Sequence, residues 1–356
     1  MLTGMSIKNF RGINKGNLDR FGNVNILLGP NNSGKSTILE AIYLASTAIS
    51  KNDLLNRIRI EYLADRRVKR KYRLFDSLWY KYKTTKPIQL ILTLDNENSF
   101  TFESFKENET MFTYLNLENR YFIRNSRIWQ EYKIVDNVPH FKQQNYTIER
   151  LSSIFKISKK ALKNLIKMLS ASVMIDPFII NSFNEIEENL WFKIIAERID
   201  KKIVKTINSC YNMNIENFSY FKIGPGYSLA ALLPTHSVRL DEIGDGVRMS
   251  VAMITIAYLI ENSIILLEDP ETHQHIRALK EIMSTLLKVS KSQNNQIFIS
   301  THSLELTKEI VNLSFRLDID LTIFGITLDN GNLNVRTIKK EDAKNLLEVG
   351  EDIRII

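Results

Sequence analysis

The period of apolar and polar positions changes several times along the chain, and each change predicts an element. Residues 2–10 read as a strand, a polar turn follows, and the apolar run 24–28 reads as a second strand. A glycine-bearing loop, 29–34, then leads into a strongly apolar helix expected from Lys35 to about Ile49. Pro87 starts a strand over 88–94, with 100–102 and further short strands through about Val135. From Tyr146 the spacing lengthens: Ile154, Ile157, Leu162, Leu165, Ile166 and Leu169 recur at three- and four-residue steps, as on one helical face. A longer helix is predicted from about Ser182 to Tyr211, with Phe183, Ile186, Leu190, Ile194 and Ile207 on one stripe. Its heptads are too few and irregular for an extended coiled coil.

The last third alternates helix 249–260, apolar strand 264–267, helix 275–290, strand 296–299 and helix 304–313. A hairpin then turns at Asn330-Gly331, a pair suited to a type I′ turn. Such alternation implies an α/β fold with a mainly parallel sheet flanked by helices, here with an antiparallel N-terminal β part and helical insertions. With no repeat, low-complexity tract or Pro/Gly/Ser linker, residues 1–356 are expected to form one unit. Within it lie an insertion at 51–86 and a helical subdomain at 145–215.

Composition adds little to the class and something to the placement of charge. At 44% hydrophobic and 25% charged residues the chain has an ordinary globular composition. Cys210 is the only cysteine, which excludes an intrachain disulfide framework and Cys-pair zinc sites. The start of the chain lacks the apolar core of a signal peptide, and the longest apolar stretch is far short of a bilayer span. A cytoplasmic protein without a membrane partner is expected. The net charge of +8 is concentrated: residues 56–86 hold eleven basic side chains against Glu61, Asp65 and Asp76. Arg66, Arg67, Lys69, Arg70 and Lys71 form its densest run, among aromatics such as Tyr62, Tyr72, Phe75 and Trp79. Two readings stay open here, a patch that grips phosphates and stacks on bases, and a solvated helical face packed down by its aromatics.

The candidate chemistry starts at Gly29-Pro30-Asn31-Asn32-Ser33-Gly34-Lys35-Ser36, which fits G-x-x-x-x-G-K-[ST] with a strand before it and a helix after it. Glycines let successive backbone N–H groups converge on phosphate, and the helix N-terminus adds partial positive charge. Lys35 is expected to reach the β- and γ-phosphates and the Ser36 hydroxyl to ligate Mg²⁺. The strand 264–267 delivers Glu268 and Asp269 at its C-terminal end, where open α/β sheets place their chemistry. Glu268 suits the Mg²⁺ shell, and Asp269 suits orienting or deprotonating an attacking water. A further apolar strand ends in Ser300-Thr301-His302-Ser303, with His302 a candidate contact for a γ-phosphate or its water. Gly244-Asp245-Gly246 before an apolar helix again offers backbone donors to an anion, or else a turn with Asp245 as helix cap. His273-Gln274-His275 reads as part of the loop after the acidic strand, and Asp318-Ile319-Asp320 as a polar lead into a strand.

The order of these segments resembles ABC-type ATPase heads of the chromosome-maintenance and double-strand-break-repair kind, in particular the short overcoming-lysogenisation-defect-like ATPases. Lys8-Asn9-Phe10-Arg11-Gly12, the loop Gly29 to Thr37, Ile243 to Arg248, Leu266 to Glu271 and Ser300 to Ser303 carry the resemblance, which spans most of the chain from Met5 to about Leu313. It implies a homodimer, or a higher oligomer built on such dimers, that sandwiches ATP. Gly244, Asp245, Gly246 and Arg248 would then act from the opposite subunit, His302 would be the switch histidine, and Arg11 would approach the nucleotide. Gly29, Asn31, Asn32, Ser33, Gly34, Lys35, Ser36 and Thr37 would hold ATP. The family's signature serine is replaced by Gly244. Glu268 and Asp269 reverse the usual acid order and shorten the presumed base by one methylene, so slow hydrolysis is expected. The resemblance leaves the family's glutamine-loop residue unassigned. About 43 residues follow Leu313, too few for the Toprim nuclease domain of many relatives. The expected function is an ATP-hydrolysing dimer switch in prokaryotic defence or DNA metabolism with a separate effector. The alternative is a nucleic-acid or effector-binding module in which ATP is mainly a structural clamp. A transporter subunit lacks a coupling element, and a small-molecule kinase leaves Gly244 to Arg248 and His302 without roles.

Overall fold

A computed structural model describes residues 1–66, 75–95, 98–107, 110–223 and 226–353. One sheet of fourteen strands runs through it, and five strands at one end are mutually parallel. In spatial order these are Val173–Ile175, Ile264–Glu268, Gln296–Ser300, Val24–Leu28 and Leu321–Asp329. Every residue of Val24–Leu28, Ile264–Glu268 and Gln296–Ser300 is buried, because helices cover both sheet faces, so these strands read as unbroken apolar runs. Their side chains alternate between two cores. Ile26, Leu28, Ile265, Leu267, Ile297 and Ile299 face one core, together with the helices Asp245–Leu259 and Ile276–Ser292. Leu27, Ile264, Leu266, Phe298 and Phe324 face the other, against the helix Lys35–Ala45.

The antiparallel part is larger than the apolar pattern suggests. The hairpin strand Asn332–Lys339 meets Ile13–Asp19 in a short parallel pairing, and from there antiparallel strands run through Leu2–Phe10 and Ile88–Leu94 to a meander ending at Val138–Tyr146. Ile13–Asp19, expected as a turn, is a strand although only Ile13, Gly16 and Leu18 are buried. Its neighbours on both sides supply the pairing, and Gly16 lies so close to Leu333 that a Cβ there would come within 2.7 Å of that side chain. The single long helix expected over 182–211 is two, Phe183–Ala196 and Ile199–Tyr211, broken where Arg198 takes φ 57°. Three further strands, Asn217–Ile223, Gly226–Leu232 and Ser237–Arg239, form a small separate sheet that the pattern does not announce. The hairpin turns at Asn330 (φ 49°) and Gly331 (φ 84°), both left-handed as a type I′ turn requires.

Among the described residues no helix is long and apolar enough to cross a membrane. Cys210 is half-buried on the helix Ile199–Tyr211. For function, the important consequence is directional: the parallel strands all end at one edge, so the segments after Leu28, Ile175, Glu268 and Ser300 converge there.

Candidate nucleotide site

At that edge the phosphate loop leaves Val24–Leu28 and turns into the helix Lys35–Ala45. Gly29 has φ 151°, and a Cβ on it would lie 2.2 Å from the Ile326 carbonyl oxygen, so the close approach of two backbones demands glycine. Gly34, at φ 98°, caps the helix in the left-handed region. The loop lines a cavity of about 860 Å³ together with Thr37, Tyr62, Asp65, Arg66, Pro177, Phe178, Glu268, Asp269 and His302. Lys35 is buried and its Nζ donates to the carbonyls of Gly29 and Pro30, both at 2.9 Å. Burial pushes its pKa down, against the pull of Asp269 and Glu271. The Ser33 hydroxyl is buried without a hydrogen-bond partner.

The opposite wall is acidic. Asp269 follows its strand at φ 42° and donates its N–H to the Ser300 carbonyl at 3.0 Å. Burial raises its pKa and the nearby Glu271 raises it further, while His302, Lys35 and Arg66 oppose. One oxygen of Asp269 and one of Glu271 are buried without hydrogen-bond partners. The other Glu271 oxygen accepts from the Thr301 hydroxyl at 2.6 Å and the His302 N–H at 3.1 Å, which ties the two strand ends together.

Between the walls sits Arg66. Its guanidinium contacts Glu40 at 2.5 Å, Asp176 at 3.0 Å, and Glu268. Tyr62 donates to the same Asp176 oxygen at 2.6 Å, and the other oxygen accepts from the Phe178 N–H at 3.1 Å. Burial works against the Arg66 charge, and Glu40 and Asp176 more than offset it, raising the pKa. Burial also pushes the Tyr62 phenol well above its ordinary pKa; Arg57 opposes this and Asp176 adds to it.

The structure therefore brings the loop residues, Glu268, Asp269 and His302 together, and it separates others from them. Arg11 does not line the cavity. Its guanidinium pairs with Glu40 and donates to the Leu63 carbonyl at 2.7 Å, because the fully buried Glu40 needs cations behind the helix. Arg66, read as part of an exposed patch, is instead buried, with 3% of its side chain exposed. Arg57 and Arg59 of the same insertion are buried too, Arg57 on Asp53 and the Met174 carbonyl, Arg59 on Ser172 and the Ser170 carbonyl. Arg67, Lys69, Arg70 and Lys71 lie outside the described residues.

Gly244, Asp245, Gly246 and Arg248 also stand away from the cavity of their own chain. Gly244 caps the helix Asp245–Leu259 and has open space where a Cβ would go. At Gly246 a Cβ would come within 2.6 Å of the His273 carbonyl oxygen, so this glycine serves close packing. Arg248 pairs with Asp245 and reaches the Ile180 carbonyl at 3.3 Å. His275 caps the helix Ile276–Ser292, and among the described residues no group of His, Cys, Asp or Glu forms a self-sufficient metal cage.

Glu40, Tyr62, Asp176 and Glu271 are the site residues that motif reading passes over. A signal existed for two of them. Glu40 is the only acid in an otherwise apolar helix, and Glu271 continues the acidic run of the strand end.

The model of the AAA ATPase domain family matches residues 95–307, a stretch that begins after the phosphate loop and contains Asp245, Glu268, Asp269 and His302. An ATP/GTP phosphatase of Helicobacter pylori (strain ATCC 700392 / 26695) is 24% identical over 337 residues, 86% of either chain. An uncharacterised protein of Methanocaldococcus jannaschii, MJECL11, is 25% identical over 113 residues, 32% of this chain and 99% of its own. Among solved structures, an Smc head bound to the C-winged helix domain of ScpA covers 97% of this chain and 99% of its own, with a TM-score of 0.51 and 14% identity. That last likeness is one of fold, the fold of an ABC-type ATPase head. By the family match, which takes in more than half of its length, the chain belongs to the AAA ATPase domain family, and it is an ATPase.

Proposed function

We propose that this ATPase is a Mg²⁺-dependent switch that closes as a homodimer on ATP and passes that state to a separate effector in prokaryotic defence or DNA metabolism. The carrying observation is the split site. Loop, acids and His302 share one cavity, while Gly244 to Arg248 lie on the same chain but away from it, with the Gly244 end open. An open helix N-terminus is suited to an anion that another subunit holds.

The residues fit a bound Mg²⁺. Among the described residues Glu268 and Asp269 lie at the cavity with Glu271 beside them, one oxygen each of Asp269 and Glu271 is buried without a hydrogen-bond partner, and a triphosphate would add further negative charge. Mg²⁺ takes one or two protein oxygens and completes its shell with phosphates and water, so the absence of a self-sufficient cage is expected. Ser36 and Glu268 would hold it, and it would neutralise charge on the transferred phosphoryl group. Asp269, its basicity raised by burial, would orient the attacking water and accept its proton. Lys35 would leave the carbonyls of Gly29 and Pro30 for phosphate, and the unpartnered Ser33 hydroxyl would donate to it. His302 would contact the γ-phosphate side. A separate partner protein fits the Smc head, whose structure contains part of ScpA.

Lys35→Ala should lower ATP binding at least 100-fold by equilibrium fluorescence. Asp269→Asn should bind ATP normally, hydrolyse it at least 100-fold more slowly, and elute as a dimer in ATP on size-exclusion chromatography. Wild-type hydrolysis by both variants would sink the reading.

A further inference from the structure

Among the described residues of the basic insertion three arginine side chains are buried, and of these Arg66 faces the cavity. Arg57 and Arg59 end on backbone carbonyls, Asp53 and Ser172, as arginines do when they lock a loop to a core. Arg66 ends on three carboxylates carried by three separate elements: Glu40 on the helix Lys35–Ala45, Asp176 after Val173–Ile175, and Glu268 closing Ile264–Glu268. Glu268 is also the carboxylate to which the proposed function gives the metal.

We propose that Arg66 is a positioning residue of the nucleotide site, an internal cation that competes with the divalent metal for Glu268 and so sets how much Mg²⁺ the chain needs to take up nucleotide. The inference rests on the reading that the cavity takes Mg²⁺ and ATP.

The geometry makes the exchange feasible at modest cost. A buried guanidinium that loses its only partner is strongly destabilising. Arg66 can release Glu268 and still keep Glu40 at 2.5 Å and Asp176 at 3.0 Å. Asp176 is held independently by Tyr62 and the Phe178 N–H, so it stays in place to receive the cation. Glu268, by contrast, has 11% of its side chain exposed on the cavity side, where a metal with its waters and phosphates would approach. Weakening Asp176 should therefore concentrate Arg66 on Glu268, and removing Arg66 should leave Glu268 to the metal alone. The two changes act in opposite directions, which a role in folding alone does not produce.

The test is a Mg²⁺ titration of the binding of a fluorescent, non-hydrolysable ATP analogue by the full chain. Arg66→Gln is expected to lower the Mg²⁺ concentration at half-maximal binding at least fivefold. Asp176→Asn is expected to raise it at least threefold, and Arg66→Lys, which keeps a charge without the fork, to fall between wild type and Arg66→Gln. Circular dichroism melts confirm that each variant is folded. If Arg66→Gln does not fold, Arg66→Lys and Asp176→Asn must still shift in opposite directions. Half-points within twofold of wild type, or shifts of the same sign, overturn the inference while leaving the ATPase intact. Failure of the wild type to bind the analogue at any Mg²⁺ concentration overturns the underlying reading as well.

Discussion

Glu131, in the antiparallel part of the sheet, is one carboxylate surrounded by donors, whereas Arg66, at the cavity, is one guanidinium surrounded by carboxylates. Glu131 accepts from Arg120 at 3.0 and 2.7 Å, from Lys142 at 2.9 Å and from Tyr146 at 2.6 Å. Arg120 holds the Glu131 pKa down to about 2, burial opposes, and Tyr146 and Lys142 assist. Both Glu131 oxygens are hydrogen-bonded, and the cluster fastens the meander strands 120–125, 128–135 and 138–146. At the cavity, among the described residues, Arg66 is shared by Glu40, Asp176 and Glu268, and one buried oxygen each of Asp269 and Glu271 has no hydrogen-bond partner. A buried oxygen without a donor costs stability unless a donor or cation is recruited, whereas the saturated Glu131 cluster needs neither. The comparison teaches that burial of charge does not by itself mark function: the Glu131 cluster is buried and saturated, while unpartnered carboxylate oxygens sit at the cavity.

Breaking the two clusters should separate these roles. Glu40→Ala, which takes a fully buried carboxylate from both Arg11 and Arg66, should cost about 3–5 kcal/mol in urea unfolding and abolish tight nucleotide binding. Glu131→Gln should cost about 1–3 kcal/mol near neutral pH yet leave ATP turnover within twofold of wild type. Its pH dependence follows from a depressed folded pKa. The stabilisation is fully present above the ordinary value of 4.5 and is lost as pH falls toward about 2, so wild-type and variant melting curves should converge over that window. Smallest of all, Lys142→Met removes a partner whose side chain is 41% exposed and should cost less than about 1 kcal/mol. A loss of ATP turnover in Glu131→Gln with an intact melting curve at low pH would erase the distinction between the clusters.

The same contrast explains what could be read from the chain. Gly29 to Ser36, Glu268 with Asp269, and His302 follow apolar strands immediately, and strand ends in a parallel sheet share one edge, so local pattern already placed them together. Arg66 misled for a physical reason. Arginine is most often exposed, and eleven basic residues in one segment suggest a surface, but Arg57 and Arg66 are drawn inward by acids and Arg59 by Ser172 and backbone carbonyls. Arg11 was drawn the same way, toward Glu40 instead of the cavity. Asp176 gave no local sign at all. Its three-residue strand pairs only with Ile264–Glu268, some ninety residues later in the chain.

Local order of residues determined the glycine loop between strand and helix, because such a loop needs only a strand, glycines and a helix start that are contiguous. The hairpin at Asn330-Gly331 was determined in the same way, by the two left-handed residues its turn requires. The tertiary structure alone decided which charges meet. Glu40, Arg66, Asp176 and Glu268 are far apart in sequence, and only when the sheet assembles do burial and the long reach of the Coulomb force at low dielectric select their partners.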